Sequence, residues 1–142
     1  MKLIIKRSDT SLPMPEYKNK GAVGIDLCAR VNVKVKAGKT ELVPLNVIVK
    51  PPKGYWVFLA ARSSLFKWGL LPVNGIGIID PDYSGEEDEL KLSVLNFTKK
   101  TVLVKKGERV AQMTLMKINK ARVSEVKKMK KKSRGGFGTT GK

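Results

Sequence analysis

Apolar and polar residues alternate along most of this chain. In RVNVKVKAG, residues 30 to 38, the valines at 31, 33 and 35 are separated by Asn32 and Lys34. A period of two puts every second side chain on one face, so the segment predicts a half-buried strand closed by a turn at Ala-Gly. ELVPLNVIVKPPKG (41 to 54) is a β-branched run that stops at Pro-Pro-Lys-Gly. Pro44 cannot donate to a ladder, which predicts an edge or bulge position for it. YWVFLAA (55 to 61), GIGII (75 to 79), LKLSVLNF (90 to 97), TVLVKKG (101 to 107) and VAQMTLMKI (110 to 118) continue the pattern. Their spacing is that of a sandwich or barrel. No window long enough for a helix keeps an apolar stripe at helical spacing; SSLFKWG (63 to 69) predicts one short helical turn. There are no internal repeats. The reading is a single all-β domain.

Composition narrows the chemistry. With 142 residues, 42% of them hydrophobic, the chain can bury a core. No apolar run approaches the roughly 20 residues that span a bilayer. Leu3 to Ile5 is too short for a signal peptide, so a cytoplasmic protein without membrane contact is expected. One cysteine, Cys28, excludes an intrachain disulfide and a multi-cysteine zinc site. There is no histidine, which removes Ser-His-Asp and Cys-His catalysis and His-ligated metals. Acid–base work falls to a carboxylate, a lysine, a tyrosine or Cys28.

The net charge is +17, and residues 117 to 142 hold ten Lys/Arg against one Glu. Such an excess attracts nucleotides, nucleic acid or anionic membranes, and it also serves solubility alone. A nucleic-acid surface tends to interleave aromatics with its cations, and only nine residues here are Phe, Trp or Tyr. Composition breaks near residue 127, dividing a core (1 to 126) from a basic arm (127 to 142) that ends in SRGGFGTTGK. Glycine loses the most backbone freedom on ordering, so this arm cannot hold a helix or strand interior. It is either an unstructured terminus or a lid that orders over something anionic and flat. In the second case Phe137 could stack on a base, and the N–H groups of GGFGTTG could wrap phosphates.

Six of the twelve acidic residues lie between 80 and 89. Asp80 directly follows Ile78 and Ile79, so it is expected at a strand end, partly buried, where a carboxylate could deprotonate a water. Glu86 to Glu89 read as a solvated hairpin loop. In ARSSL (61 to 65), Arg62 offers a fork for phosphate oxygens, with Ser63 and Ser64 as further donors. Arg109 and Gln112 interrupt an apolar strand. A buried Arg109 needs a partner, and Asp26, in AVGIDLCA, is the candidate. A core ion pair and direct ligand contact both fit. No GxxxxGK[ST] loop is present.

Five segments stand in order along the chain: AVGIDLCA (22 to 29), ARSSL (61 to 65), NGIGIIDPDY (74 to 83), GERVAQM (107 to 113) and SRGGFGTTG (133 to 141). Together they resemble the homotrimeric all-β dUTPase (dUTP diphosphatase) family, over essentially the whole chain. The resemblance implies a distorted jelly-roll or β-clip subunit, three sites at subunit interfaces and a flexible C-terminal arm closing over one of them. It implies hydrolysis of dUTP to dUMP and pyrophosphate. Asp80 would activate the water that attacks the α-phosphorus. Asn74, Gly77 and nearby strand backbone would read the uracil, and Tyr83 would pack under the deoxyribose. Arg62, Ser63, Ser64 and Gln112 would hold phosphates. Arg134, Gly138, Thr139 and Thr140 would grip from the arm, and Phe137 would cover the base. Asp26 and Arg109 would be supporting groups. Mg²⁺ would ride on the substrate phosphates with no direct protein ligand, a water at most linking it to Asp26. Two positions depart from the family's pattern: Ser64 stands where many members have Gly, and Arg134 lies closer to the ring than usual, with Lys132 as an alternative. The same fold also carries dCTP deaminases and deaminase–diphosphatases, and the charge keeps a non-catalytic nucleic-acid-binding module in view.

Overall fold

The alternation becomes four antiparallel sheets. The computed structural model describes residues 1–138, which form eleven strands and one 3₁₀ turn. β2 (Ile25–Cys28), β11 (Arg109–Lys117), β6 (Tyr55–Ala61) and β8 (Ile76–Ile79) make the largest sheet, in that order. β4 (Thr40–Pro44), β9 (Lys91–Asn96) and β7 (Leu70–Pro72) make the second. β1 (Ile4–Arg7) pairs with β5 (Val47–Lys50), and β3 (Val33–Val35) with β10 (Val102–Val104). Their inward faces meet in one core, where Leu27, Val35, Val43, Leu45, Val57 and Val94 are fully buried. Each such side chain contributes roughly 1.5–3 kcal/mol through apolar burial.

The predicted strands are present, with informative differences. The run 41 to 54 splits into β4 and β5 at Asn46, whose φ of 66° is left-handed. Asn tolerates that conformation because its short amide can bond locally. Here the Asn46 Oδ1 accepts the Asp9 N–H (2.7 Å) and Nδ2 donates to the Asp9 carbonyl (3.0 Å). Pro44 closes β4 at the edge of its sheet, as its missing N–H predicts. β1, β2 and β7 hold only three or four residues each, too few for periodicity to declare them. The short turn arrives at Leu65–Trp68.

Glu89 corrects the reading of 86 to 89 as a wholly solvated loop. It is 8% exposed. Leu90 is drawn into the core, with its N–H on the Val47 carbonyl, and this carries Glu89 to the joint between β4 and β5. There its carboxylate receives Arg30 in a two-point fork (2.8 and 3.0 Å) and the Asn46 N–H (2.8 Å). The same contact raises the Arg30 pKa above its ordinary value. Glu86 and Glu87 stay exposed, and Asp88 closes the turn by accepting the Gly85 N–H.

Removing Glu89 leaves the one-third-exposed Arg30 without its partner and the buried Asn46 N–H without an acceptor. Glu89→Ala is therefore expected to cost about 1–3 kcal/mol of unfolding free energy. Glu87→Ala, two residues away, should change it by less than about 0.5 kcal/mol. Denaturant titrations of both variants at one protein concentration make the comparison.

Candidate active site

The register of the largest sheet puts several candidate residues on one face. Asp26 lies opposite Gln112, Gln112 opposite Ala60, and Ala60 opposite Ile76. The next row, Ile25, Met113, Leu59 and Gly77, turns the other way; its first three members are buried in the core. Arg62 follows the end of β6, its N–H on the Val110 carbonyl. From there its Nε reaches the Asp26 Oδ1 (3.2 Å), while the Arg109 Nη1 donates to Oδ2 (2.9 Å). Two guanidiniums on one carboxylate leave a net positive pair of forks, suited to oxyanions. The pairing of Arg109 with Asp26 is as expected, but its burial is not. At the start of β11 its side chain is 47% exposed, with its guanidinium on the Asp26 carboxylate.

Ser63 and Ser64 follow Arg62. Ser63 is exposed and Ser64 half-buried, and the 3₁₀ turn behind them is pinned by the buried Leu65. Gln112 donates from Nε2 to the Ala61 carbonyl (3.3 Å). Gly24 makes room for it: a Cβ there would stand 2.7 Å from the Gln112 Oε1. Sequence reading missed that role, since a glycine before a strand carries many meanings.

β8 is an edge strand, paired with β6 alone among the described residues. Ile76 and Ile78 alternate along its outward side, 43% and 66% exposed; Asp80 follows the strand and Asn74 lies in the turn before it, both exposed. This corrects the expectation of a partly buried Asp80: no second layer covers this face in a single chain. The Asp80 carbonyl accepts the Tyr83 N–H (3.1 Å) across the turn at Pro81. Tyr83 is 40% exposed, and its hydroxyl donates to the Glu89 carbonyl (3.4 Å). Asn74 accepts the Ser93 hydroxyl at Oδ1 (3.2 Å). Lys120 shares the cleft of Asp80, Pro81 and Asp82, and no sequence pattern marked it. Gly77 faces the core, where an added Cβ would stand 3.1 Å from the Leu59 Cβ. Only its backbone is available to a ligand.

One chain does not bring these groups to a single point. Asp80 continues β8 beyond Ile79, which lies opposite Val57, whereas Arg62 extends the other end of β6. Six residues of strand separate them, about 20 Å at the rise of an extended chain. Asp26 and Arg109 line a cavity of about 240 Å³ with Cys28 and the Pro13–Pro15 loop, and it shares no residue with the Asp80 cleft. Burial raises the Cys28 thiol pKa, so it is not an activated nucleophile. Among the described residues, no three His, Cys, Asp or Glu side chains converge on a metal position. Arg134, Phe137 and Gly138 lie on the stretch after β11, which has no helix or strand among the described residues, and Phe137 is fully exposed. Thr139 and Thr140 lie outside the described residues.

Comparison with known proteins gives one consistent relationship. The dUTPase family model matches residues 10–141. A deoxyuridine 5'-triphosphate nucleotidohydrolase of Caldanaerobacter subterraneus subsp. tengcongensis is 36% identical over 98% of this chain and 97% of its own length. One from a Hydrogenobaculum species is 37% identical over 99% of each. Among solved structures, a Streptococcus mutans dUTPase superposes with a TM-score of 0.75 at 28% identity, over 84% of this chain and 98% of its own. A dUTPase of Staphylococcus bacteriophage 80alpha gives 0.82 at 22% identity over 99% and 98%, a likeness of fold. The fold class is the expected one, an all-β distorted jelly-roll or β-clip subunit.

Gly77 offers a direct test of how β8 is held. The atom an added methyl group would meet is the Cβ of Leu59, fixed to the β6 backbone, so the strands must part. Gly77→Ala is expected to destabilise the protein by about 1–3 kcal/mol. A drop in Tm of several degrees in thermal unfolding is the readout.

Proposed function

The chain belongs to the dUTPase family, and we propose that it hydrolyses dUTP to dUMP and pyrophosphate in sites completed between the subunits of a homotrimer. The observation that carries this reading is the exposed face of β8. It offers an apolar strip, Ile76 and Ile78, between an amide at Asn74 and a carboxylate at Asp80. A pyrimidine deoxynucleotide needs a polar group for the edge of its base, a flat surface for the base itself, and a general base near the phosphate chain. The unpaired side of an edge strand adds backbone N–H and C=O groups.

In this reading uracil lies along β8, with its edge on Asn74 and the strand backbone around Gly77. The Tyr83 ring packs against the deoxyribose and leaves no space for a 2′-hydroxyl. The Asp80 carboxylate takes a proton from a water. That water's oxygen bonds to the α-phosphorus as the bond to the bridging oxygen breaks, and pyrophosphate leaves. The departing charge is met by Arg62, Ser63, Ser64 and Gln112. Because Asp80 and Arg62 stand about 20 Å apart in one chain, these groups come from a neighbouring subunit. Asp26, gripped by Arg62 and Arg109, orients the forks. The arm (127 to 142) closes over the site. Phe137 covers the base, Arg134 with Thr139 and Thr140 meets the outer phosphates, and Gly138 lets the backbone approach them. In this reading Mg²⁺ would be carried by the triphosphate, with a water at most linking it to Asp26, whose two oxygens already receive Arg62 and Arg109. When bound there, it would neutralise phosphate charge.

Two experiments test this. Pyrophosphate and ammonia release are measured on dUTP, dCTP, dTTP and UTP with Mg²⁺. Pyrophosphate from dUTP alone is expected, falling by about 10²–10⁴-fold in Asp80→Asn. Ammonia from dCTP would move the protein to the deaminase branch of the fold. Shared sites are tested by mixing two inactive variants, Asp80→Asn and Arg62→Ala, after co-refolding. Mixed trimers should regain activity, because one site in each can draw both intact groups from different chains. No recovery would mean that each site is built from one chain.

A further inference from the structure

Phe66 and Phe97 stand far apart in the sequence, yet three loops bring them together. Lys36 to Lys39 joins β3 to β4, Phe97 to Thr101 joins β9 to β10, and the 3₁₀ turn runs into Gly69. Asn96 ties the first two loops. Its N–H donates to the Lys39 carbonyl (3.0 Å) and its carbonyl accepts the Gly38 N–H (2.9 Å). Its side-chain amide donates to the carbonyls of Val35 (2.8 Å) and Lys100 (2.7 Å). Gly69 ties in the third loop: its N–H donates to the Phe66 carbonyl (2.9 Å) and its own carbonyl accepts the Phe97 N–H (3.0 Å). The approach is so close that a Cβ on Gly69 would stand 2.1 Å from the Thr98 Cγ2.

The outcome is a patch with two exposed rings, Phe66 at 56% and Phe97 at 53%. Lys36, Lys39, Lys67, Lys99 and Lys100 are exposed on the same loops. None of the five forms an ion pair with an acid among the described residues, and the three loops contain no Asp or Glu. Lone exposed aromatics are ordinary, but two on adjoining loops among uncompensated lysines are a stacking platform in a positive field.

We propose that this patch binds single-stranded nucleic acid, with bases stacked on Phe66 and Phe97 and phosphates held by the surrounding lysines. A single strand offers both unstacked base faces and a regular run of phosphates; a duplex hides the faces. None of the patch residues is among those assigned to dUTP hydrolysis, and Phe97, Lys99 and Lys100 stand on a loop that carries none of them.

The test is fluorescence anisotropy of a labelled oligothymidylate of about 20 nucleotides with the full chain, from about 50 to about 200 mM salt. Phe97→Ala should weaken binding by about fivefold to a hundredfold and leave the salt slope unchanged. Lys99→Gln with Lys100→Gln should reduce the log–log salt slope by about 0.7 per lysine. Both variants should hydrolyse dUTP as before, which certifies their fold. If Phe97→Ala misfolds, the lysine pair, on side chains that face solvent, carries the test. A full chain with Lys127, Lys128, Lys130, Lys131 and Lys132 all changed to Gln should bind less tightly but keep its dependence on Phe97. The proposal is overturned if patch variants bind like the parent while the arm variant alone loses binding. It is equally overturned if duplex of the same length, or phosphatidylserine vesicles, bind more tightly than the single strand. Anisotropy needs no turnover, so failure of the dUTP reading and failure of this one are separable.

Discussion

The antiparallel register of β6 with its two neighbours is the constraint on which the rest depends. With a side-chain period of two, a slip of one residue against β11 or β8 would exchange the two faces of the sheet. In the register found, Ile25, Leu59 and Met113 enter the core, while Asp26, Gln112, Ile76 and Ile78 are left on the outer face. The core thus sets the site: hydrophobic burial in one row places polar chemistry in the next. Gly77 keeps the spacing between β6 and β8 tight, which in turn fixes the line of Asn74 and Asp80.

A second tie acts at the end of that line. Glu89 is held by Arg30 and the Asn46 N–H, and its carbonyl accepts the Tyr83 hydroxyl. Tyr83 is therefore anchored to a buried ion pair, although its own loop is exposed. This explains how an acidic turn, costly in itself through repulsion, remains ordered. Glu86 contributes on the outside by pairing with Lys6. One end of the acidic cluster thus stabilises, while Asp80 at the other end stays exposed.

The positive charge has two distinct homes. Between Lys127 and Lys132 the arm carries its lysines on an exposed stretch without helix or strand, where they act as a diffuse field that attracts anions. The patch around Phe66 and Phe97 holds its lysines on loops whose backbones are tied by Asn96 and Gly69.

By itself the sequence determined the strands long enough to show alternation, including β6 to the residue and the short turn after Ser64. It also bounded the available chemistry, because absent histidines leave acid–base work to a carboxylate, a lysine, a tyrosine or the single cysteine. The pairing of Asp26 with Arg109 was legible too: an acid and a base, each among apolar neighbours, need each other. The tertiary structure alone decided that Glu89 is buried, that Asp80 is exposed, that Gly77 serves the core and that two phenylalanines share a patch. The physical reason is range. Alternation is a property of neighbours, written in every few residues. The contact of Arg30 with Glu89, or of Asn96 with Val35, joins residues some sixty positions apart. Such contacts follow from register and from how loops close, and no local pattern records either.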